Sequence, residues 1–245
     1  GNSGAKWRLV EDGEVVARGR LDLDADDTPE ALADAARAAS EIWLASVLDQ
    51  RREAELEARL TRLSPIPQRR ARSESRCAGV ENSYEDPSRM GVDRWLALLA
   101  ARQRVQGRVC VVDAGTALTI DLLAADGRHE GGYIIPGRDL LERALLSGTG
   151  RVRDARRQLW SLDPGQSTGA AVGSGAALAL VGAVREALHC AGAPTPALLF
   201  SGGAGGQLLQ LLDVAGTAAP DLVFEGLEVA LCGGFGAPYN EKYDR

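Results

Sequence analysis

Apolar and polar residues alternate over residues 6–10 (KWRLV) and 14–18 (EVVAR), with Glu11-Asp12-Gly13 between them. This pattern predicts two strands joined by a tight hairpin, because Gly tolerates the positive φ of an Asp-Gly turn. Helical spacing over 29–39 predicts a helix with Pro29 in its first turn and Thr28 as its cap. A short buried strand is expected at 42–47 and a charged amphipathic helix at 50–63. Residues 64–90, with Pro65, Pro67 and Pro87, read as mostly irregular. Helical spacing resumes over 93–104, where Trp95, Leu96, Leu98 and Leu99 are apolar.

A second series follows. Strands are expected at 109–112, 118–123, 133–135 and 198–200, and helices at 138–146, 168–190, 205–213 and 225–232. Strands followed by helices, twice over, predict an α/β protein of two similar halves, 1–106 and 107–245, with the boundary near Gln106-Gly107. The halves superpose at an offset of 114 residues, which lays Gly1 on Gly115, Asp12 on Asp126 and Gly13 on Gly127. The matches are few, but they fall on turn-forming positions. In the second half a strand ending in Asp113 leads into Gly115; an equivalent strand ending in an acidic residue is expected before Gly1.

Composition narrows the function classes. Hydrophobic residues make up 45% and charged residues 25%, ordinary values for a chain with a real core. A formal net charge of −6 argues against a general nucleic-acid or anionic-membrane surface. No apolar run approaching the length of a membrane span is expected, nor a secretory leader, so the chain reads as cytoplasmic with no membrane partner. Cys77, Cys110, Cys190 and Cys232 form no CxxC pair, which argues against zinc and for reduced thiols, with Cys110 a small core residue. Of the 28 basic residues all but Lys6 and Lys242 are Arg, and the clusters at 69–76 and 151–157 read as solvated surface. His129 and His189 read as structural or exposed. The single Met is Met90 and the chain opens at Gly1, so either an initiator was trimmed or a natural beginning is missing; the repeat favours the second.

A strand, an Asp, a Gly and a small hydroxyl residue before a return strand suits phosphate binding. The Gly lets backbone N–H groups approach the anion, while the Asp organises a cation or water beside it. Two such copies facing each other across a nucleotide cleft resemble the actin, heat-shock chaperone and sugar-kinase superfamily (ribonuclease H-like halves). Ser201-Gly202-Gly203 after an apolar strand resembles that superfamily's adenosine-contacting loop.

The most specific stretch is 84–95 (YEDPSRMGVDRW). It closely resembles the Y-x-N-P-x-x-L-G-x-D-R segment of type III pantothenate kinases. VDAGTA at 112–117, GGYIIPG at 131–137, PGQST at 164–168 and SGG at 201–203 follow in the family's order. The resemblance implies ATP-dependent phosphorylation of pantothenate at its primary hydroxyl. It implies Asp93 as general base, with Tyr84, Gly91, Val92, Asp93, Arg94 and Thr168 binding pantothenate, Arg94 as a forked partner. Asp113 matches the ligand of a monovalent cation (potassium or ammonium), and Thr116 an ATP contact. Gly1, Asn2, Ser3 and Lys6 fall in the first phosphate loop, which receives ATP with magnesium. A homodimer is implied as well. Asp86 and Met90 stand where the family has Asn and Leu, and the Asp that the family places before its first Gly has no counterpart ahead of Gly1. Two other readings compete: a non-catalytic regulatory relative, and a kinase of the same superfamily with another acceptor.

Overall fold

The Asp-Gly turn near the start of the chain closes a hairpin as its chemistry dictates. The computed structural model describes residues 4–25, 27–148 and 160–232. In it β1 (Ala5–Glu11) pairs antiparallel with β2 (Glu14–Leu21). Asp12 and Gly13 take φ of 50° and 81°, the paired positive values that match a hairpin turn to strand twist. Next come α1 (Glu30–Ala38), β3 (Ile42–Leu44), α2 (Gln50–Leu63) and β4 (Gln68–Arg70). β3 is shorter than the 42–47 strand expected, is half-buried, and pairs in parallel with the unanticipated β4.

Thr28 does not cap α1. Pro29 takes the cap position without a side-chain bond, and Thr28 Oγ1 accepts instead from Arg59 Nε at 3.0 Å. Arg59 also donates to the carbonyls of Ala25 and Asp27, so one guanidinium of α2 orders the loop. α2 is capped by Asp49, whose carboxylate accepts from the backbone N–H groups of Arg52 and Arg51 and is held below its usual pKa by them. The 69–76 arginine cluster is only partly solvated, since Arg70 is half-buried against Glu53 and Glu57 of α2. The 151–157 cluster lies outside the described residues.

Packing separates the chain into two units. One holds the described residues up to Arg72 together with Gly91–Asp93; the other holds Ser73–Met90 and the described residues from Arg94 onward. The second unit begins with a small hairpin, β5 (Arg76–Cys77) and β6 (Val80–Glu81), and a 3₁₀ turn at Pro87–Arg89. α3 (Val92–Arg104) then leads into β7 (Val109–Ala114), β8 (Ala117–Leu123) and β9 (His129–Pro136). α4 (Arg138–Gly148), α5 (Thr168–Ala191), β10 (Ala197–Ser201), α6 (Gly205–Leu212), β11 (Thr217–Ala218) and α7 (Leu222–Leu231) complete it.

Five of these strands form a mixed sheet in the order β11-β10-β7-β8-β9, with β10 parallel to β7 and β8 antiparallel to both its neighbours. Strand alternation sends Cys110, Val112, Leu118 and Ile120 to one face, against Leu180, Val181 and Val184 of α5 and Leu208 of α6. α3 lies on the other face with Trp95, Leu96, Leu98 and Leu99 fully buried. α7 crosses α3 so closely that a Cβ on Gly226 would strike the Leu96 carbonyl, and Arg104 Nε donates to Glu225 Oε2 at 2.7 Å to lock the pair.

α5 corrects one expectation. Its 24 residues are long and apolar enough to cross a membrane by length and composition, because Gly and Ala hide the absence of charge between Thr168 and Val184. Its side bearing Ala177, Leu180, Val181 and Val184 packs on the sheet, so the helix serves the core. Cys110 is fully buried as expected, and burial pushes its thiol up to about 12.

Candidate active site

The 84–95 segment is held in place from its backbone outward. Asn82, itself buried, donates from Nδ2 to the Glu74 carbonyl and accepts at Oδ1 from the Tyr84 N–H at 3.0 Å. Asp86 caps the 3₁₀ turn, accepting from the N–H and hydroxyl of Ser88, which hold its carboxyl below the usual range. An Asn side-chain oxygen accepts the same bonds, so the Asp-for-Asn departure from the family pattern is mild. Met90 is 2% exposed and fills a core position that a Leu would fill.

Tyr84 and Arg94 meet. Arg94 Nη1 donates to the Tyr84 hydroxyl oxygen at 2.7 Å, and the guanidinium lies 5.7 Å from the Tyr84 ring centre. The fork of Arg94 is engaged within the protein: Nε donates to Asp121 Oδ2 at 2.9 Å and Nη2 to Asp121 Oδ1 at 2.5 Å. Burial alone lowers the pKa of Arg94, but the bonds and charge of Asp121, with Tyr84, more than offset it and hold the guanidinium charged. Behind Asp121 stands His129, fully buried, with Nε2 3.0 Å from Asp121 Oδ1 and Nδ1 2.9 Å from Ser83 Oγ. The His129 ring also stacks on Tyr84, centres 6.3 Å apart.

Gly132 makes room for this pair. A Cβ there would strike the Asp121 carboxylate and the Ile120 carbonyl, and would lie 2.8 Å from Arg94 Nη2. The Gly131-Gly132 pair therefore belongs inside β9 rather than ending it, which is why that strand runs eight residues and not three.

A second group gathers at one end of the same sheet. β7, β9 and β10 all run toward that end, bringing Asp113, Pro136-Gly137 and Ser201-Gly202 together, with Ser201 in register with Asp113. Their loops touch through backbone: the Gly137 N–H donates to the Thr116 carbonyl at 2.9 Å and the Ala204 N–H to the Ala114 carbonyl at 3.0 Å. A Cβ on Gly137 would strike the Gly115 and Thr116 carbonyls, and one on Gly202, at φ +80°, the Ala114 backbone. The half-buried Asp113 pairs across the strands with Thr119, and Val111 with Asp121. Directly opposed and alternate residues share a face, so Asp113 and Asp121 project from the same side of the sheet.

The remaining expected residues lie as follows. Gly91, Val92 and Asp93 belong with the first unit. The helix begins at Val92, so Asp93 sits exposed in its first turn rather than capping it, and a Cβ on Gly91 would lie 2.8 Å from Asp93 Oδ1. Lys6 is exposed on β1 opposite Arg20. Thr168 is exposed at the first position of α5, whose cap is Ser167, accepting at Oγ from the Ala170 N–H at 3.2 Å. Gly1, Asn2 and Ser3 lie outside the described residues.

Sequence reasoning missed Asp121 and His129 as members of this cluster, with Asn82 and Ser83 as supports. The available signal was an Asp inside an otherwise apolar strand, LTIDLL, which demands a buried partner. Three oxygen, nitrogen or sulfur ligands of metal-binding type do not cluster among the described residues. Asp113 Oδ1 lies 3.3 Å from where a Cβ on Gly115 would stand, so its carboxylate sits against the 114–117 turn.

With this geometry in view, comparisons with known proteins are decisive. The family model for type III pantothenate kinase matches residues 1–189. The type III pantothenate kinase of Pseudomonas aeruginosa (strain LESB58) is 40% identical over 237 residues, covering 94% of this chain and 96% of that protein. That of Thiobacillus denitrificans is 42% identical over 241 residues, covering 96% of each. Among solved structures, a protein described as a Baf family transcriptional activator from Campylobacter jejuni superposes with a TM-score of 0.59 at 19% identity, covering 94% of each chain. A 2-dehydro-3-deoxygalactonokinase protein from Sinorhizobium meliloti gives 0.51 at 19% identity over 93% of this chain and 95% of its own. These two likenesses are of fold, and the second places the α/β architecture beside that of a sugar-acid kinase. The chain belongs to the type III pantothenate kinases.

Proposed function

We propose that this chain transfers the γ-phosphoryl group of ATP to the primary hydroxyl of pantothenate, giving 4′-phosphopantothenate in the first step of coenzyme A synthesis. Family membership over nearly the whole chain carries the reaction. One observation supports its placement: the Tyr84–Arg94 cluster, anchored on Asp121, and the Asp113 loop lie on the same face of one sheet.

Asp93 is the base. The alcohol oxygen attacks the γ-phosphorus, the bond to the bridging oxygen of ADP breaks, and the alcohol proton passes to the Asp93 carboxylate. A carboxylate suffices because the proton leaves late, after much of the phosphorus–oxygen bond has changed. Its exposure in the first turn of α3 leaves it reachable by substrate. Tyr84 and Arg94 hold pantothenate, with Gly91, Val92 and Thr168 adding contacts. Arg94 Nε and Nη2 engage Asp121 while Nη1 donates to Tyr84, which ties the two proposed pantothenate contacts to one another.

Thr116 contacts ATP, which arrives as its magnesium complex, and Lys6 serves the first phosphate loop with Gly1, Asn2 and Ser3. Asp113, with loop carbonyls, holds potassium or ammonium, which supplies positive charge beside the phosphates. The two-half repeat, 1–106 and 107–245, is supported by the match of hairpins: shifted by 114 residues, β1 and β2 fall on β8 and β9 to within two residues at every boundary. A homodimer is the expected assembly, and exposed Tyr133 and Ile134 on the edge strand β9 agree with an apolar contact there. Four free cysteines fit a cytoplasmic location.

The test is Asp93→Asn in the full chain. Turnover falls by about a hundredfold or more, the range typical of a positioned general acid or base, while calorimetry still detects pantothenate binding. Unchanged kcat removes Asp93 as the base.

A further inference from the structure

Behind Tyr84, the side chains of Arg94, Asp121, His129 and Ser83 form one hydrogen-bonded series. A carboxylate accepts only, so the proton between His129 and Asp121 sits on His129 Nε2. At the other ring nitrogen, Nδ1 and Ser83 Oγ are 2.9 Å apart and share one hydrogen bond. Asp121 thereby receives three bonds, two from Arg94 and one from His129. Arginine has no acceptor, so at the Arg94–Tyr84 contact the tyrosine oxygen accepts and its hydroxyl hydrogen points elsewhere. The Tyr84 ring rests on His129, which limits its rotation. Arg94, Asp121 and His129 are 6%, 2% and 0% exposed, whereas Tyr84 is half-buried, so the tyrosine, with its hydroxyl hydrogen not committed to Arg94, reaches further toward solvent than these three partners.

We propose that Asp121, braced by His129 and Ser83, is the positioning residue of the acceptor site: it fixes Arg94 so that Tyr84 presents its hydroxyl as a donor to a carboxylate or amide oxygen of the acceptor. This rests on the reading that Tyr84 and Arg94 contact pantothenate. It adds a group that touches no substrate yet sets the donor polarity of one that does.

The experiment is steady-state kinetics on the full chain, with KM for pantothenate, KM for ATP and kcat read separately. Tyr84→Phe and Arg94→Lys report the contact itself, and each raises the pantothenate KM about tenfold or more, the loss expected for one hydrogen bond to a charged group. His129→Leu and Asp121→Asn report the positioning, and raise the same KM by about three- to tenfold while the ATP KM stays within about twofold. His129→Gln, whose amide N–H can still donate to Asp121, returns the pantothenate KM to near the parent value. A residue that merely stabilised the fold would move both KM values or neither and would show no such rescue. If His129→Leu and Asp121→Asn keep native circular dichroism and an unchanged pantothenate KM while Tyr84→Phe raises it, the positioning role is overturned and the contact stands. If Tyr84→Phe and Arg94→Lys also leave that KM unchanged, the acceptor-site reading itself fails. Should Asp121→Asn not fold, the His129→Leu and His129→Gln comparison decides alone.

Discussion

Arg94 and Asp121 form a buried bidentate pair, Nε to Oδ2 at 2.9 Å and Nη2 to Oδ1 at 2.5 Å, with one partner on a helix and the other on the sheet that helix covers. Removing one partner strands the other charge in an apolar setting. Asp121→Ala is therefore expected to cost about 3–5 kcal/mol in urea unfolding. Replacing both by apolar side chains, Arg94→Met with Asp121→Leu, returns much of that stability but no pantothenate turnover. The double-mutant cycle measures the coupling, and a double variant as unstable as the summed single losses would show that the two side chains act independently.

Gly132 offers a way to disturb the same pair without touching its charges. Its backbone is not in the left-handed region, so the objection to a side chain is purely spatial: the Asp121 carboxylate, the Ile120 carbonyl and Arg94 Nη2 occupy the place of a Cβ. Gly132→Ala should cost about 1–3 kcal/mol, as crowding in a packed interior does, and should raise the pantothenate KM more than the ATP KM. At neighbouring Gly131 a Cβ meets nothing but φ is +114°. Gly131→Ala should lower Tm through backbone strain alone and leave the ratio of the two KM values unchanged. Equal kinetic effects at both positions would dissociate Gly132 from the acceptor site.

What was legible in the chain follows from what is local. The Asp12-Gly13 turn, the capped α2 and the apolar runs of β7 and β8 are each decided within a few residues, and all formed where their patterns put them. β4 and β11 are only three and two residues long and exist through pairing with strands distant in sequence, which no local pattern encodes. Thr28 lost its capping role to Arg59, 31 residues away. In the candidate site the motif residues were legible as a family pattern. Their support was not, because Asp121 and His129 are single polar residues whose meaning depends on the neighbours that the sheet register brings.

Cys110 gives a prediction with a pH sign. Burial raises its thiol from 9.0 to about 12, with the Asp121 charge adding and Arg108 opposing. At pH 8 only about one molecule in ten thousand carries the thiolate there, so a disulfide reagent should modify the exposed Cys190 and Cys232 first and Cys110 only on unfolding. Because the folded protein holds this proton more tightly than the unfolded chain, the resulting stability is complete below pH 9 and fades as pH rises toward 12, by up to about 4 kcal/mol. Cys110→Ala should show a flatter alkaline decline in urea stability between those limits; an identical decline would assign the loss to other groups.

Asp113 is the residue proposed to hold the cation. It lies one residue before the end of β7, where the loops after β9 and β10 converge. On the proposal that Asp113 holds potassium beside the nucleotide's phosphates, turnover should rise with potassium and not with an equal ionic strength of a bulky organic cation. Losing one charged contact of about 1.5–3 kcal/mol corresponds to an about ten- to hundredfold higher half-saturating potassium concentration in Asp113→Ala. Asp113→Glu, which keeps the charge, should recover part of the response. The readout is kcat against potassium at saturating pantothenate and ATP. A response in Asp113→Ala that overlays the parent curve would move the cation away from β7, and with it the explanation for an acidic residue at the end of that strand.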